Sequence, residues 1–247
     1  MTPLTSQQLA ALAKVDSPTV ANVIELFDLG SYLDGFTDHR LKAIYPELPP
    51  AAGYAVTATF RASKPTEAED AYGGMPQLIA ESLSIPEPRI VVFEDLDGTP
   101  QAATYGEVMV SSFQGFGFVG LMTSGAARDI EQVRQLNFPC WASSTIVSHG
   151  YCRILKSGVP VTIAGLEVQP RDILHADVNG VIKIPHRIAP AVAELCGPFM
   201  QAEQIIIDYV RSPNPSAAGY KEAVSKAKSA MAELRARARG FLKNNPS

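Results

Sequence analysis

The chain has 247 residues, 46% of them hydrophobic and 19% charged, the balance of a globular protein with a sizeable buried core. Its formal net charge of -4 argues against a general nucleic-acid binder, and no apolar run approaches the length of a membrane span. The three cysteines, Cys140, Cys152 and Cys196, are odd in number and lack paired zinc-ligand spacing. A disulfide framework is therefore not expected, and a reducing cytoplasm is the expected compartment. Residues 1–13 carry neither a basic n-region nor a long apolar run, so no secretory signal is read there.

Taken in order, TSQQLAALAKV opens with an N-cap candidate, Thr5 or Ser6, and continues with apolar residues at helical spacing. SPTVANVIELFDLG repeats the logic, with Ser17 as cap, Pro18 at the first helical position and Gly30 as a stop. PPAAG is a turn cluster, and YAVTATFRA alternates as a strand does. AYGGMPQLIAESLSIPEP reads as a turn, a helix and a proline-rich exit, and RIVVFEDLDG as a buried strand ending in a polar loop. YGEVMVSSFQ predicts a helix with Gly106 at its mouth, although VMVSSF also has the pattern of a strand, and FVGLMTS predicts a short strand. GAARDIEQVRQL predicts a helix that starts near Gly125, and FPCWASST another strand. From Tyr151 to Pro185, period-two runs broken by Ser-Gly, Ala-Gly, Gln-Pro and Asn-Gly predict several short strands. Beyond Pro185 the pattern is helical, interrupted by RSPNPSAAG. Strands and helices so mixed predict an α/β domain.

The charge is unevenly spread. Residues 221–247 hold Lys221, Lys226, Lys228, Arg235, Arg237, Arg239 and Lys243 against Glu222 and Glu233, so the rest of the chain is more acidic than the average. An Arg/Ala-rich helix of this kind is read as a solvated face, with packing on a neighbour or an acidic partner as alternatives.

Gly115, Gly117 and Gly120 have the G-x-G-x-x-G spacing of a dinucleotide-binding turn. That turn must follow a strand and open a helix, so that the helix amides meet the pyrophosphate. Here a helix leads in and a strand leads out, and no Asp or Glu lies between Glu131 and Glu167 to hold a ribose. The glycines are read as easing a helix-to-strand turn. No Gly-Lys-Ser/Thr phosphate loop follows them, and there is no G-x-S-x-G elbow.

The residues on either side carry more chemistry. The helix opening at Gly106 and Glu107 exposes the amides of Val108 and Met109, which suit a carboxylate or phosphate. Arg128 and Asp129 stand side by side: a planar fork for a carboxylate, and a hard oxygen ligand for Mg²⁺ or Mn²⁺. Taken alone, such a pair reads as a surface charge pair or a helix-dipole partner.

Glu107, twenty intervening residues, then Arg128-Asp129 resembles the acidic-x20-Arg-Asp motif of the class II pyruvate aldolases, the 4-hydroxy-4-methyl-2-oxoglutarate / 4-carboxy-4-hydroxy-2-oxoadipate aldolases. These share a fold with the RraA regulators of ribonuclease activity. SPTVANVIELF, AAGYAVTATF, GEVMV, GLMTSGAARD, NFPCWAS and GLEVQPRDILHADVNGVIKIP are similar to family stretches in the same order, over roughly residues 8–190. The family often has Asp where this chain has Ser124, and an acid three residues after the motif Asp, where this chain has Gln132.

The resemblance implies an α/β fold: an RraA-like swivelling β/β/α layered domain over residues 1–197, with a C-terminal helical extension over 198–247. It implies a metal-dependent lyase that cleaves a 4-hydroxy-2-keto acid to pyruvate, with oxaloacetate decarboxylation as a side activity. Asp129 would hold Mg²⁺ or Mn²⁺, partly through water. Arg128 would contact the pyruvyl oxygens, the Gly106–Met109 turn the carboxylate, and Glu107 would orient water or take part in proton transfer. The assembly implied is a cytoplasmic homotrimer or hexamer that uses neither nucleic acid nor membrane. A non-catalytic regulator that binds a ribonuclease or another protein is the alternative. A third label, methyltransferase, would need a strand–glycine–helix turn, and the order here is the reverse.

Other candidates have plainer readings. His149 sits in a loop and reads as structural. His175, Asp177 and Asn179 fall in HADVNG, which is turn chemistry. Lys183 could form a Schiff base, but a lysine between isoleucines on a strand reads as solvent-facing. Glu203 is placed by the resemblance where a C-terminal acid could reach a neighbouring subunit's site. Cys140 and Cys152 read as buried strand residues.

Overall fold

A computed structural model describes residues 3–65 and 73–245. Two compact units divide the chain: Met1–Tyr32 with Pro185–Ser247, and Leu33–Ile184.

The first unit is helical. Helix α1 (Ser6–Leu12) starts at Thr5, whose side chain accepts from the Gln8 amide while Gln8 reaches back to the Thr5 amide. Helix α2 (Ser17–Glu25) is capped by Asp16, which accepts from the Thr19 amide at 2.8 Å. Ser17 is therefore the first helical residue, and the helix closes at Leu26, short of Gly30. A carboxylate one residue upstream outcompetes the hydroxyl for the same amide and also meets the positive end of the helix.

The second unit begins with β1 (Lys42–Ala43) and β2 (Ala51–Arg61). Strand β2 is buried at ten consecutive positions, so the expected PPAAG turn yields to the strand at Ala51. Gly53 lets the chain lie against Pro88, whose carbonyl accepts the Tyr54 amide at 2.9 Å. Then come α3 (Met75–Ser82), β3 (Arg89–Asp95), β4 (Ala103–Tyr105), α4 (Glu107–Gly115) and β5 (Phe118–Thr123). They are followed by β6 (Ala126–Ala127), α5 (Ile130–Gln135), β7 (Cys140–Ala142) and β8 (Ser144–Thr145). The unit ends with β9 (Arg153–Ser157), β10 (Val161–Ile163), β11 (Leu166–Val168), β12 (Ile173–Asp177) and β13 (Gly180–Ile184).

The main sheet runs β1-β7-β5-β3-β2-β12-β13, with β9 also paired to β2. Its centre, β2, β3, β5 and β7, is parallel; β1, β9, β12 and β13 join antiparallel. Parallel strands need both faces covered, and alternate side chains of β3 serve each face. Ile90 and Val92 pack with Trp141, Met122 and the β10–β11 hairpin residues Val161 and Leu166. On the other face the ring of Phe93 lies 5.9 Å from Phe60 and 6.0 Å from Phe113 of α4, and Phe113 lies 4.8 Å from Phe118. This aromatic row fixes α4 to the sheet.

Returning to the helical unit, α6 (Ala189–Arg211) and α7 (Ala217–Asn244) form a hairpin, with α1 and α2 also against α6. Helix α6 is continuous through Gly197 and Pro198, so residue 198 lies inside it. At the bend the Tyr209 hydroxyl takes the Ser216 amide at 2.9 Å, and Ser216 caps α7. Phe27 meets Phe241 edge-on at 6.4 Å.

Because Phe113 is fully buried between α4 and the sheet, Phe113→Ala should cost about 3–5 kcal/mol of stability. Urea denaturation followed by circular dichroism measures this; a loss below about 1 kcal/mol would mean that α4 is held by something else.

Candidate active site

Three short strands, β4, β6 and β8, make a second sheet, parallel throughout. The register sets Tyr105 beside Ala127 and Ala127 beside Thr145. The ladder continues past the named strands: the Arg128 amide donates to the Tyr105 carbonyl at 3.1 Å, and the Ile146 amide to the Ala127 carbonyl at 2.9 Å. Gly106, Arg128 and Ile146 therefore leave the carboxyl edge of the sheet together. Outside the carboxyl ends of parallel strands is where open α/β sheets bind ligands.

Arg128 and Asp129 do not lie in the first turn of a helix starting near Gly125, as the sequence suggested. Gly125 precedes a strand, and α5 begins only at Ile130. The apolar pair Ala126-Ala127 is buried and strand-paired, so tertiary pairing overrides alanine's helix preference. Asp129 is the N-cap residue, with φ 53° and ψ 44°. That left-handed conformation is tolerated by Asp and Asn better than by most residues.

Asp129 uses its carboxylate across the site. Its Oδ2 accepts the Glu107 amide at 3.0 Å and lies 3.7 Å from Arg128 Nε. The Glu107 amide is one of the first-turn donors of α4, which have no intrahelical acceptor, and no side chain caps this helix at Gly106. The amides of Val108 and Met109 follow it in the same first turn. Gly106 permits the closeness: a Cβ there would overlap Asp129 Oδ2 and stand 3.0 Å from Arg128 Nε. The side chains of Arg128 and Asp129 are 26% and 33% exposed, so both can meet a solute.

The structure thus brings Gly106, Glu107, Val108, Met109, Arg128 and Asp129 together. Met109 turns its side chain into the core, leaving its backbone as the contact, while Val108 is 68% exposed. After β8 the Ile146 amide continues the same ladder, and the Ser148 carbonyl accepts the Ala103 amide at 2.7 Å. Sequence reasoning had FPCWASST as one strand and missed this second sheet. Its signal, the polar break at Ser143-Ser144, is where the chain passes from the main sheet to the second one. His149 Nδ1 lies 2.8 Å from the Gly150 carbonyl.

The three glycines have separate tasks. Gly115 ends α4, Gly117 takes φ 77° in the turn, and Gly120 lies inside β5 where Trp141 crosses it. The helix-to-strand order is as the sequence suggested.

Residues 20–183 match the RraA-like family described as Aldolase/RraA. The chain belongs to the Aldolase/RraA family. It is 30% identical over 99 residues to a Halalkalibacterium halodurans protein provisionally named 4-hydroxy-4-methyl-2-oxoglutarate aldolase, covering 40% of this chain and 47% of that one. The chain spans 17% and 47% of the length of the first two curated relatives it matches. The fold is similar to that of an uncharacterized protein from Pseudomonas syringae pv. tomato, with a TM-score of 0.71 at 21% identity over 91% of this chain and 95% of that one. It is also similar to Streptomyces coelicolor RraAS2, described as an unusual member of the RNase ES inhibitor RraA protein family. There the TM-score is 0.66 at 22% identity, over 83% of this chain and 97% of that one. The mixed α/β RraA-like fold with two C-terminal helices is thereby shown.

Within this Aldolase/RraA chain the remaining candidates lie elsewhere. His175 is buried in β12, and Asp177 and Asn179 close the β12–β13 hairpin, Asp177 accepting the Asn179 amide at 2.7 Å. Lys183 donates to the Glu167 carbonyl at 2.7 Å and pairs with Asp172 at 3.3 Å, so the strand lysine is anchored. Glu203 lies on α6 of the helical unit, where burial raises its pKa. All three cysteines are free and buried; burial pushes the Cys140 thiol up and the Cys196 thiol up to about 12, which disfavours the thiolate at those two positions. Among the described residues no three His, Cys, Asp or Glu side chains group as a metal cage, and no helix is long and apolar enough to cross a membrane.

Asp95, unnoticed in the sequence, ends β3. Its Oδ1 accepts the Asp97 amide at 3.0 Å, and its buried Oδ2 has no partner among the described residues. Burial raises its pKa, against the Asp97 hydrogen bond. The folded state thus favours the protonated carboxyl, so this group's contribution to stability is best below the ordinary Asp range near about pH 4. It is lost as pH rises through the folded value.

Asp95→Asn should therefore raise the melting temperature at neutral pH, with the gain vanishing on acidification; a pH-independent gain would refute this. Gly106→Ala should destabilise the protein by about 1–3 kcal/mol through the overlap with Asp129, whereas Gly115→Ala, with nothing within 4 Å, should not. Equal effects in denaturant titrations would remove the special status of Gly106.

Proposed function

We propose that this chain is a divalent-metal-dependent aldolase that cleaves a 4-hydroxy-2-keto acid to pyruvate and decarboxylates oxaloacetate as a side reaction. The observation that carries the reading is the Arg128–Asp129 pair set against the open amides of α4 at the carboxyl edge of a parallel sheet. Family membership supports it, since a relative bears an aldolase name.

The donor chemistry fits Mg²⁺ or Mn²⁺. A hard ion that keeps most of its water needs few carboxylates, and Asp129 supplies one that is a third exposed. When bound, the ion would supply Lewis-acid polarisation of the 2-keto acid. The protein's own residues do the rest. The Val108 and Met109 amides, with the positive end of α4 behind them, hold the substrate carboxylate. Arg128 offers its planar fork to the keto and carboxylate oxygens, where negative charge grows as the C3–C4 bond breaks. Glu107 accepts the proton of the C4 hydroxyl as that bond's electron pair passes to the pyruvate fragment, and a proton returned to C3 completes pyruvate. Assembly as a trimer or hexamer belongs to the same proposal.

Asp129→Asn is the sharpest test, because Asn tolerates the left-handed backbone and keeps a carbonyl oxygen for the Glu107 amide while removing the charge. Pyruvate release from 4-hydroxy-2-keto acids should fall about 100-fold or more with the fold intact, and chelation should abolish wild-type activity until Mg²⁺ or Mn²⁺ is restored. Full activity after exhaustive chelation would overturn the proposal. Inactivity on every such acid, with ribonuclease capture in a pull-down, would establish the regulator instead.

A further inference from the structure

Helix α7 extends beyond the segment that matches the family, and its charges are ordered. Lys221, Lys228, Arg235, Arg239 and Lys243 are separated by seven, seven, four and four residues. At about 100° per residue they fall within about 80° of one another, in a row about 33 Å long. All five are exposed. The helix buries a different face, through Ala223, Ala227, Leu234 and Ala238. Its acids, Glu222 and Glu233, lie about 100–120° around the axis from Lys221. Among the described residues the ion pair on this helix joins Glu222 to Lys226 at 2.7 Å, off the row. The row itself is acid-free, and the exposed residues between its cations are Ser225, Ala232 and Ala236.

We infer that this cationic row is a docking surface for the phosphodiester backbone of a nucleic acid. A membrane surface would want a large apolar face beside the cations, and the apolar face of α7 is already spent on its own unit. A protein partner would want aromatic or large apolar anchors at the centre of the contact, and the row offers only hydroxyls and methyls between its charges. A backbone of evenly spaced phosphates needs neither, because counterion release alone supplies the affinity. The absence of aromatic side chains on the row means no base stacking and no sequence preference. The net charge of -4 describes the chain and not this face; the acidic remainder opposes approach at long range, so attraction is confined to contact with the row.

The test is fluorescence anisotropy of the full chain with a labelled duplex DNA and a single-stranded RNA, from about 25 to 200 mM salt. Binding should be independent of sequence, and the plot of log K against log salt for the duplex should have a slope of about -4. Arg235→Gln with Arg239→Gln should weaken binding at least about tenfold and reduce that slope by about 2. Lys226→Gln with Arg237→Gln, off the row, should change little. Both double variants should keep the helical signal and any pyruvate-releasing activity, which separates this inference from the aldolase reading. No binding at the lowest salt, equal weakening by the off-row pair, or binding to anionic vesicles without binding to either nucleic acid would overturn it.

Discussion

The carboxylate of Asp129 accepting the amide of Glu107 is the contact on which the site depends. It ties the end of β6 to the start of α4, two elements that share no chain connection at that point. It also caps a helix that has no capping side chain of its own. The contact requires a left-handed residue at 129 and the absence of a side chain at 106. Strained backbone of this kind persists where the surroundings over-determine it, and here the ladder from Tyr105 through Arg128 provides that constraint.

Behind that contact stands the main sheet. The parallel strands β3, β5 and β7 aim their carboxyl ends the same way, and the chain leaves β5 and β7 directly into β6 and β8. The aromatic row from Phe60 to Phe118 fixes α4 across this platform, so the helix whose first amide meets Asp129 is held by buried rings. Rigid elements place donors more reproducibly than loops do, and that suits electrostatic work on a developing charge.

Charge is handled differently in the two units. In the α/β unit, charges are held close: Asp95 is buried at the cost of a raised pKa, and Lys183 is pinned between a carbonyl and a carboxylate. In the helical unit, α7 leaves a row of cations in water with no acid among them. The first pattern fixes side chains in place; the second is a salt-sensitive surface that acts at contact.

Much was legible in the sequence because it is local. The Thr5 cap, the buried run of β3, the hairpin at Asp177–Gly180, the helix-to-strand order around Gly115 and Gly117, and the spacing from Glu107 to Arg128-Asp129 all follow from neighbours along the chain. What the sequence misplaced depends on partners far away in the chain. Ala126-Ala127 has helical propensity yet pairs as a strand, because β4 and β8 flank it. FPCWASST looks like one strand yet splits between two sheets, and Asp95 gives no sign of burial until its neighbours are assembled. The sequence by itself determined which residues are candidates for the chemistry and how far apart they stand along the chain. Only the tertiary structure decided that a strand, and not a helix, delivers Arg128 and Asp129, since strand pairing is satisfied by distant backbone that no local pattern encodes.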